Sequence, residues 1–190
     1  MNNYIFTEDW FSSNVNNFIN YLEEFKGKPN LNFLEIGSYQ GRSSVWLFEN
    51  ILTEPTCKLT CIDTFEGSVE HTEHQKSNLF EIFNHNIREF SNRVHIIRGY
   101  SQQMLRRLEG EYDFIYIDGD HRASSVLEDA ILSFSLLKKG GIMIFDDYEW
   151  GEPPRTDLNL PKQGIDAFLN VYSDKYEILL KAYQVVIRKL

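Results

Sequence analysis

Three aspartates have the positions in this chain that most clearly indicate chemistry. Asp146 and Asp147 follow the apolar run 141–145, and Asp118 closes another apolar run, 114–117. If these runs are neighbouring parallel strands, the three carboxylates meet at one edge of a sheet. Carboxylates that share a site repel one another unless a cation or a proton relieves the repulsion. Because the three side chains offer only hard oxygen ligands, they favour Mg²⁺ or Ca²⁺ over zinc.

The alternative for this group is a site without a metal, in which Asp147 only caps the segment after the strand. His121, three residues after Asp118, adds a second candidate function to the same region. An imidazole has an ordinary pKa of about 6.5, so a histidine there suits removal of a proton from a ligand hydroxyl. The competing interpretation is a surface histidine that hydrogen-bonds Asp118 or Asp120.

A glycine-containing turn follows the first predicted strand. Gly37 and Gly41 are four residues apart, and small residues there let the backbone approach a ligand and its anionic groups. The spacing G-x-x-x-G differs from the G-x-G-x-x-G of dinucleotide-binding enzymes, which disfavours a pyrophosphate. Glu35 would attract a cation, so the expected ligand carries an ammonium group. The alternative is that the glycines serve only the geometry of a strand-to-helix turn.

Asp63 ends the second predicted strand, 22 positions after Gly41. An acid at that place commonly accepts hydrogen bonds from ribose hydroxyls. A helix cap or a solvated loop acid is the alternative for this residue alone. Together with the glycine turn, Asp63 favours a nucleoside as the ligand.

The elements that must position these residues alternate between strand and helix. Short apolar runs predict five strands, and apolar stripes at helical spacing lie between them. This alternation predicts a single doubly wound α/β domain, with helices on both faces of a mostly parallel sheet. The runs 176–180 and 184–187 predict a C-terminal antiparallel hairpin, which completes a seven-stranded sheet. The five runs are 31–36, 59–62, 94–97, 114–117 and 142–145. Residues 138–141, with two lysines and two glycines, are expected to end the helix before the fifth run.

Length and composition set outer limits on the function. A chain of 190 residues suits one domain, with residues 1–30 as an N-terminal helical segment packed on a domain of residues 31–190. The net charge of −9 argues against nucleic acid and anionic membranes as partners. Because no signal-peptide pattern and no apolar run of about 18 residues is present, a cytoplasmic location is expected.

Two further segments carry smaller predictions. Cys57 and Cys61 lie too far apart along one strand to form a disulfide, so both are expected to be reduced. The loop Trp150–Gly164 contains three prolines, and its length predicts a lid. His71 and His74 could imitate a metal cluster, but a solvated loop is the better interpretation of their polar segment.

These motifs, in this order, resemble those of class I S-adenosylmethionine-dependent methyltransferases. More narrowly, the chain is similar to the metal-dependent O-methyltransferases of the catechol and caffeoyl-coenzyme A type. It also resembles macrolide- and sugar-modifying relatives with an Ile-Asp-Gly-Asp-His motif, here residues 117–121. The resemblance runs from about Leu31 to the C-terminus and implies a Rossmann-like methyltransferase domain. It implies S-adenosyl-L-methionine and Mg²⁺ as cofactors and a small hydroxylated acceptor as substrate, and it leaves a homodimer open.

The resemblance also assigns roles to individual residues. The segment 34–43 looks like the motif that holds the methionine part of the cofactor, and 99–102 resembles the adenine-side segment. Residues 116–118 and 145–147 resemble two metal-binding strand ends. The implied cofactor-binding residues are Glu35, Gly37, Ser38, Gly41, Ser43, Asp63, Ser101, Gln102 and Asp118; the implied metal ligands are Asp118, Asp146 and Asp147; the implied base is His121.

Two departures from the family pattern affect these assignments. The family often has Asp-Asn at the position of Asp146-Asp147, although aspartate is an equally hard ligand for Mg²⁺. The base of the catechol type is a lysine, and His121 occupies that position here, as in the macrolide relatives. The predicted function is therefore an O-methyltransferase. The alternatives are a metal-independent methyltransferase of the same fold, a non-catalytic cofactor-binding protein and, disfavoured by the glycine spacing, a dinucleotide oxidoreductase.

Overall fold

The computed structural model describes residues 3–67, 72–151 and 160–190, and these residues contain seven strands. All seven belong to one sheet, in which the third strand of the chain is followed by the second, first, fourth, fifth, seventh and sixth. The strands are β1 (Asn32–Ile36), β2 (Lys58–Asp63), β3 (Val94–Arg98), β4 (Tyr112–Ile117), β5 (Leu137–Phe145), β6 (Tyr176–Lys181) and β7 (Val185–Lys189).

The strand directions confirm the predicted fold class. β1 pairs in parallel with β2 and β4, β2 pairs with β3, and β4 pairs with β5 in the same sense. β7 runs antiparallel between β5 and β6. The result is a doubly wound, Rossmann-like α/β sheet closed by the predicted hairpin. The strand order reverses between β1 and β4, and such a switch point opens a crevice at the carboxyl ends of the strands.

The described residues contain seven α-helices, of which α1 precedes the first strand and the other six lie between strands. The helix near the N-terminus has 3₁₀ turns at both ends, Ser12–Asn14 and Glu23–Phe25, so helical turns run without a break from Ser12 to Phe25. The helices are α1 (Val15–Leu22), α2 (Arg42–Asn50), α3 (Glu73–Lys76), α4 (Leu79–Ile87), α5 (Ser101–Leu105), α6 (Ala123–Leu136) and α7 (Pro161–Val171).

The core lies on both faces of the sheet. On one face, Phe18 of α1 packs against the rings of Phe114 and Tyr116, with ring centroids 5.9 and 5.0 Å apart. On the other face, Phe134 of α6 and Phe168 of α7 lie 5.3 Å apart over the sheet. Strands that are buried on both faces have continuous rather than alternating apolar runs, which explains the runs in the sequence.

One predicted boundary is wrong. Residues 138–141 were expected to end the helix before the fifth strand, but α6 ends at Leu136 and β5 already begins at Leu137. Leu137 pairs with Tyr112, and the register then shifts before Phe114 pairs with Ile142. Gly140 has a left-handed φ of +79° in this irregular stretch. The glycine therefore serves a bulge within the strand and not a helix cap.

Several smaller predictions have different outcomes. Cys57 and Cys61 are both buried and free, as expected. His74 is exposed on α3, while His71 lies outside the described residues. The predicted lid falls mostly on residues 152–159, which also lie outside them. No helix of the described part of the chain has the length and apolar character needed to cross a membrane.

Candidate active site at the carboxyl ends of the strands

A cavity of about 1350 Å³ opens where β1, β2, β4 and β5 end. Its wall includes the glycine turn after β1, Asp63 at the end of β2, the first residues of α5 and the acids after β4 and β5. Residues between Phe6 and Asn14 complete the wall from the N-terminal side. Ligand pockets usually measure about 300–1,000 Å³, so this cavity has room for a nucleoside cofactor together with a small acceptor.

The glycine turn is held against the neighbouring strand ends. The amide of Gly37 donates to the carbonyl oxygen of Ile62 at 2.9 Å, and Gly37 has a left-handed φ of +83°. A Cβ atom at Gly37 would lie 1.9 Å from the carbonyl oxygen of Asp118. A side chain is therefore excluded there, and this close approach brings the turn after β1 and the acid after β4 into one site. Gly41, also left-handed, is the N-cap residue immediately before α2.

Asp63 holds the same turn from the end of β2. Its Oδ2 atom accepts hydrogen bonds from the amides of Ser38 at 2.7 Å and Tyr39 at 2.8 Å. Its Oδ1 atom accepts from the amide of Phe65 at 2.7 Å. A carboxylate has about four acceptor positions, so one remains for a ligand in the cavity. The predicted contact with ribose hydroxyls stays a prediction.

Glu35 lies beneath the turn and not in the cavity wall. Its Oε1 accepts from the hydroxyl of Ser43 at 2.5 Å, and its Oε2 accepts from the hydroxyls of Ser38 at 2.8 Å and of Ser44. The side chain is fully buried, and burial raises the pKa of Glu35 while the serine hydrogen bonds oppose that rise. Ser38 and Ser43 themselves line the cavity. Glu35 thus organises the turn through these hydroxyls, and its predicted direct contact with an ammonium group stays a prediction.

Ser101 and Gln102 line the cavity from the start of α5. Gln102 donates from Nε2 to Oδ1 of Asp129 at 3.0 Å, and Asp129 lies on α6 with 1% of its surface exposed. Burial is the main cause that raises the pKa of Asp129 to about 7. Asp129 was not among the residues selected from the sequence. An acid in the middle of a helix carries no local signal of such a contact.

The acids after β4 and β5 meet a histidine. Asp118, His121 and Asp147 each offer one ligand atom, and these atoms all lie within 4.8 Å of one another. Nε2 of His121 is 2.9 Å from Oδ2 of Asp147, and the hydroxyl of Tyr183 donates to Oδ1 of Asp147 at 2.7 Å. The ring of Trp150 packs 4.5 Å from that of His121. All three residues of the group line the cavity.

Asp146 has a different environment from its neighbour. Its carboxylate accepts hydrogen bonds from Nδ2 of Asn14 at 3.1 and 3.2 Å, from Nε2 of Gln184 at 3.1 Å and from the hydroxyl of Tyr116. It also accepts from the amide of Asp147 at 2.8 Å. Asp146 therefore joins the N-terminal segment, β4 and the C-terminal hairpin. The sequence predicted a group of Asp118, Asp146 and Asp147. In the structure, the third member of the group with Asp118 and Asp147 is His121.

Tyr116 links the acids that follow β4 and β5. Its hydroxyl lies 3.0 Å from Oδ2 of Asp118 and also contacts Asp146. Burial, followed by the charges of Asp118 and Asp146, raises the pKa of Tyr116 well above its usual range. The sequence could have indicated the contact between Tyr116 and Asp118, since residues two apart on a strand point to the same face of the sheet. Asn14, Tyr183 and Gln184 had none, because they come from distant segments.

Burial and mutual repulsion raise the pKa values of these acids. For Asp118, burial is the largest cause and the charges of Asp146 and Asp147 add to it. For Asp146, burial and the charge of Asp147 raise the pKa to about 6. A nearby cation would favour the ionised forms. Two carboxylates with an adjacent imidazole are a donor set that suits a divalent cation, so the residues present fit the metal that the resemblance implies.

Comparison with known proteins agrees with this geometry. A family model described as a methyltransferase domain matches residues 34–148, which include the glycine turn, Asp63 and all three aspartates of the strand ends. The chain belongs to this methyltransferase family. The match and the sheet order together confirm the resemblance to class I S-adenosylmethionine-dependent methyltransferases.

Individual relatives are distant. An uncharacterized protein, R132, of Acanthamoeba polyphaga mimivirus is 30% identical over 133 residues, which are 64% of this methyltransferase chain and 53% of the relative. The chain therefore spans about half the length of that curated relative. An O-methyltransferase from Bacillus cereus, solved in complex with SAH, superimposes with a TM-score of 0.62 at 19% identity, covering 84% of this chain and 74% of the other.

A further similar structure contains Mg as well as SAH. The MycE methyltransferase of the mycinamycin biosynthetic pathway, solved with Mg, SAH and mycinamycin VI, superimposes with a TM-score of 0.61 at 13% identity. The superposition covers 97% of this chain and 50% of the MycE chain. At such low identities the two solved structures establish the shared fold.

Proposed function

We propose that this methyltransferase transfers a methyl group from S-adenosyl-L-methionine to a hydroxyl of a small molecule, with Mg²⁺ held by Asp118 and Asp147. The observation that carries the proposal is one cavity that joins the glycine turn, Asp63 and the group of Asp118, His121 and Asp147. The SAH-bound Bacillus cereus enzyme and the Mg- and SAH-bound MycE support the choice of cofactors.

The proposed cofactor side lies between β1 and β3. Ser38, Gly41 and Ser43 hold the methionine end at the start of α2, where Glu35 fixes the serine hydroxyls from below. Asp63 accepts from the ribose, and Ser101 and Gln102 face the adenine. The sulfonium of the cofactor supplies an electrophilic methyl group. Positioning of the acceptor hydroxyl in line with it is the main task of the cavity walls.

The proposed acceptor side lies after β4 and β5. Because Nε2 of His121 lies at hydrogen-bond distance from Asp147, this carboxylate holds the imidazole that takes the proton of the acceptor hydroxyl. Asp147 orients the imidazole and stabilises its charged form, as a carboxylate partner does for a general base. A divalent cation beside these residues would hold the acceptor hydroxyl and lower its pKa.

The test combines binding and turnover. Calorimetry with SAH and with NAD separates the cofactor classes: SAH is expected to bind and NAD is not. Turnover of a library of polyhydroxylated sugars, phenols and polyketides, with and without EDTA, then separates the Mg²⁺-dependent enzyme from a metal-independent one. Binding of SAH without turnover of any class of acceptor would favour the non-catalytic alternative. A cytoplasmic location and the absence of nucleic-acid and membrane partners stay predictions.

Asp63→Ala is expected to weaken SAH binding by about 1.5–3 kcal/mol, the range for hydrogen bonds to a charged group. The variant loses both the proposed ribose acceptor and the hydrogen bonds that hold the amides of Ser38 and Tyr39. Calorimetry measures the affinity. Asp113→Asn is the matched control, because it removes a carboxylate that pairs with Lys138 at the opposite end of β4. Unchanged SAH affinity in folded Asp63→Ala protein would remove Asp63 from the site.

Mg²⁺ affinity is expected to rise with pH. Burial and the charges of Asp146 and Asp147 raise the pKa of Asp118, so its carboxyl keeps a proton to a higher pH than an ordinary aspartate does, and that proton must leave before a cation binds. Affinity is therefore low below the raised pKa and increases as the pH passes through it, by up to about tenfold per unit for each proton released. Calorimetry in buffers of different ionisation enthalpy counts these protons. Mg²⁺ binding of equal strength at every pH measured, with no proton release, would contradict the prediction.

A further inference from the structure

Asp129 is a buried acid that the proposed chemistry does not use. It lies on α6 with 1% of its surface exposed, and Oδ1 accepts one hydrogen bond, from Nε2 of Gln102 at 3.0 Å. Among the described residues, Oδ2 has no hydrogen-bond partner. A buried carboxylate with so few partners costs stability. The two side chains that stabilise its charge by hydrogen bonding, Ser101 and Gln102, both line the cavity.

The hydrogen bond from Gln102 to Asp129 fixes which end of the Gln102 amide faces Asp129. An ionised carboxylate only accepts hydrogen bonds, so the NH₂ group of the Gln102 amide must face Asp129. The carbonyl oxygen, Oε1, is then the atom of the amide that is left to meet a ligand. Gln102 thereby presents an acceptor, and not a donor, to its part of the cavity.

The sheet order indicates which part of a ligand meets Gln102. β2 ends at Asp63 and lies between β1 and β3, and α5 follows β3 in the chain. Ser101 and Gln102 therefore lie to one side of Asp63, while the acids after β4 and β5 lie to the other. A nucleoside with its ribose at Asp63 and its reactive end toward His121 extends its base toward Gln102.

We infer that Asp129 is a positioning residue that makes the site selective for a 6-amino purine, by turning the Gln102 carbonyl oxygen toward the cofactor base. The exocyclic amino group of adenine is a donor and matches that acceptor. A 6-oxo purine places a second acceptor there, and a site built for a donor rejects such an analogue. This inference rests on the proposed function, because it takes the cofactor to be an adenosine compound.

The test compares SAH with S-inosyl-homocysteine, in which the 6-amino group is a 6-oxo group. Calorimetry at about pH 8 keeps Asp129 ionised, because its pKa is about 7. We expect the wild-type protein to prefer SAH by about tenfold or more. Asp129→Asn keeps the size of the side chain, but an asparagine amide can face either end of Gln102. The preference is therefore expected to fall to within about threefold in this variant.

Two further variants make the result decisive. Gln102→Leu removes the acceptor itself and should lose the preference with Asp129 intact, which keeps the inference testable if Asp129→Asn does not fold. Asp113→Asn removes a remote carboxylate and should keep the wild-type preference. A merely structural Asp129 would lower stability and leave the ratio of the two affinities unchanged, and that result would overturn the inference.

The outcomes also separate the inference from the function on which it rests. Equal binding of SAH and S-inosyl-homocysteine by the wild-type protein would overturn the role of Asp129 and leave the proposed methyltransferase activity in place. Binding of neither compound would overturn the proposed function, and the inference with it.

Discussion

His121→Ala is expected to lower kcat by about 10²–10⁴-fold, the usual effect of removing a general base. The reason is the position of the imidazole, which lines the cavity and lies 2.9 Å from Oδ2 of Asp147 through Nε2. In the wild-type enzyme the rate should rise with pH as His121 loses its proton, and the variant should lack this rise. Steady-state kinetics at saturating cofactor and Mg²⁺ across the pH range measure both effects.

Binding measurements on the same variant separate two roles of the histidine. If His121 is the base, SAH and Mg²⁺ affinities should change little, because the proposed ligands of the cation are the carboxylates of Asp118 and Asp147. His121→Gln is a useful companion, since it keeps a polar side chain of similar reach that cannot act as a base. If His121→Ala has a kcat near that of the wild-type enzyme and the same pH profile, His121 is a surface residue and not the base. A loss of Mg²⁺ affinity in both variants would make it a metal ligand.

Asp147→Ala and Asp146→Ala should both abolish Mg²⁺-dependent turnover, but for different physical reasons. Asp147 lies beside Asp118 and His121, so its loss should remove Mg²⁺ binding while the fold and SAH binding persist. Asp146 accepts hydrogen bonds from Asn14, Tyr116 and Gln184, which its loss would leave buried without their acceptor. We therefore expect Asp146→Ala to lower the free energy of unfolding by about 3 kcal/mol.

Thermal unfolding and Mg²⁺ titration of the two alanine variants distinguish these reasons. Asp147→Asn is the matched control, because its amide oxygen remains a hard ligand and should recover part of the Mg²⁺ affinity. Loss of Mg²⁺ binding in Asp146→Ala without any loss of stability would make Asp146 a direct ligand, as the sequence predicted. Full wild-type activity in EDTA, with no metal found by elemental analysis, would establish the metal-independent alternative.

The three aspartates show how much of the site could be predicted from the sequence. Their positions at the ends of apolar runs were enough to predict that Asp118 and the Asp146-Asp147 pair meet at one sheet edge. This works because parallel strands in a doubly wound sheet all end on the same side. The sequence did not separate the roles of Asp146 and Asp147. Adjacent residues at a strand end point in different directions, and distant segments decide what each one meets.

The glycine turn shows the same division. The spacing of Gly37 and Gly41 predicted a ligand-binding turn, and local backbone chemistry is enough for that. Only the tertiary structure revealed that Gly37 faces the carbonyl oxygen of Asp118, where any Cβ would lie 1.9 Å away. It also revealed that Glu35 is buried beneath three serine hydroxyls, because burial depends on neighbours that the turn itself does not specify.

The sequence by itself determined the α/β class and the resemblance to methyltransferases. It also determined that the site lies at the carboxyl ends of the parallel strands. These results depend on hydrophobic periodicity and short motifs, which are local properties of the chain. The tertiary structure decided which polar groups pair: Asn14 and Gln184 with Asp146, Tyr183 with Asp147, and Gln102 with Asp129. Hydrogen bonds between segments far apart in the chain depend on packing, and no local pattern encodes them. The start of β5 at Leu137 also depends on packing between distant segments. Pairing of Leu137 with Tyr112 begins the strand there, although the glycines at 140 and 141 are typical of a helix end.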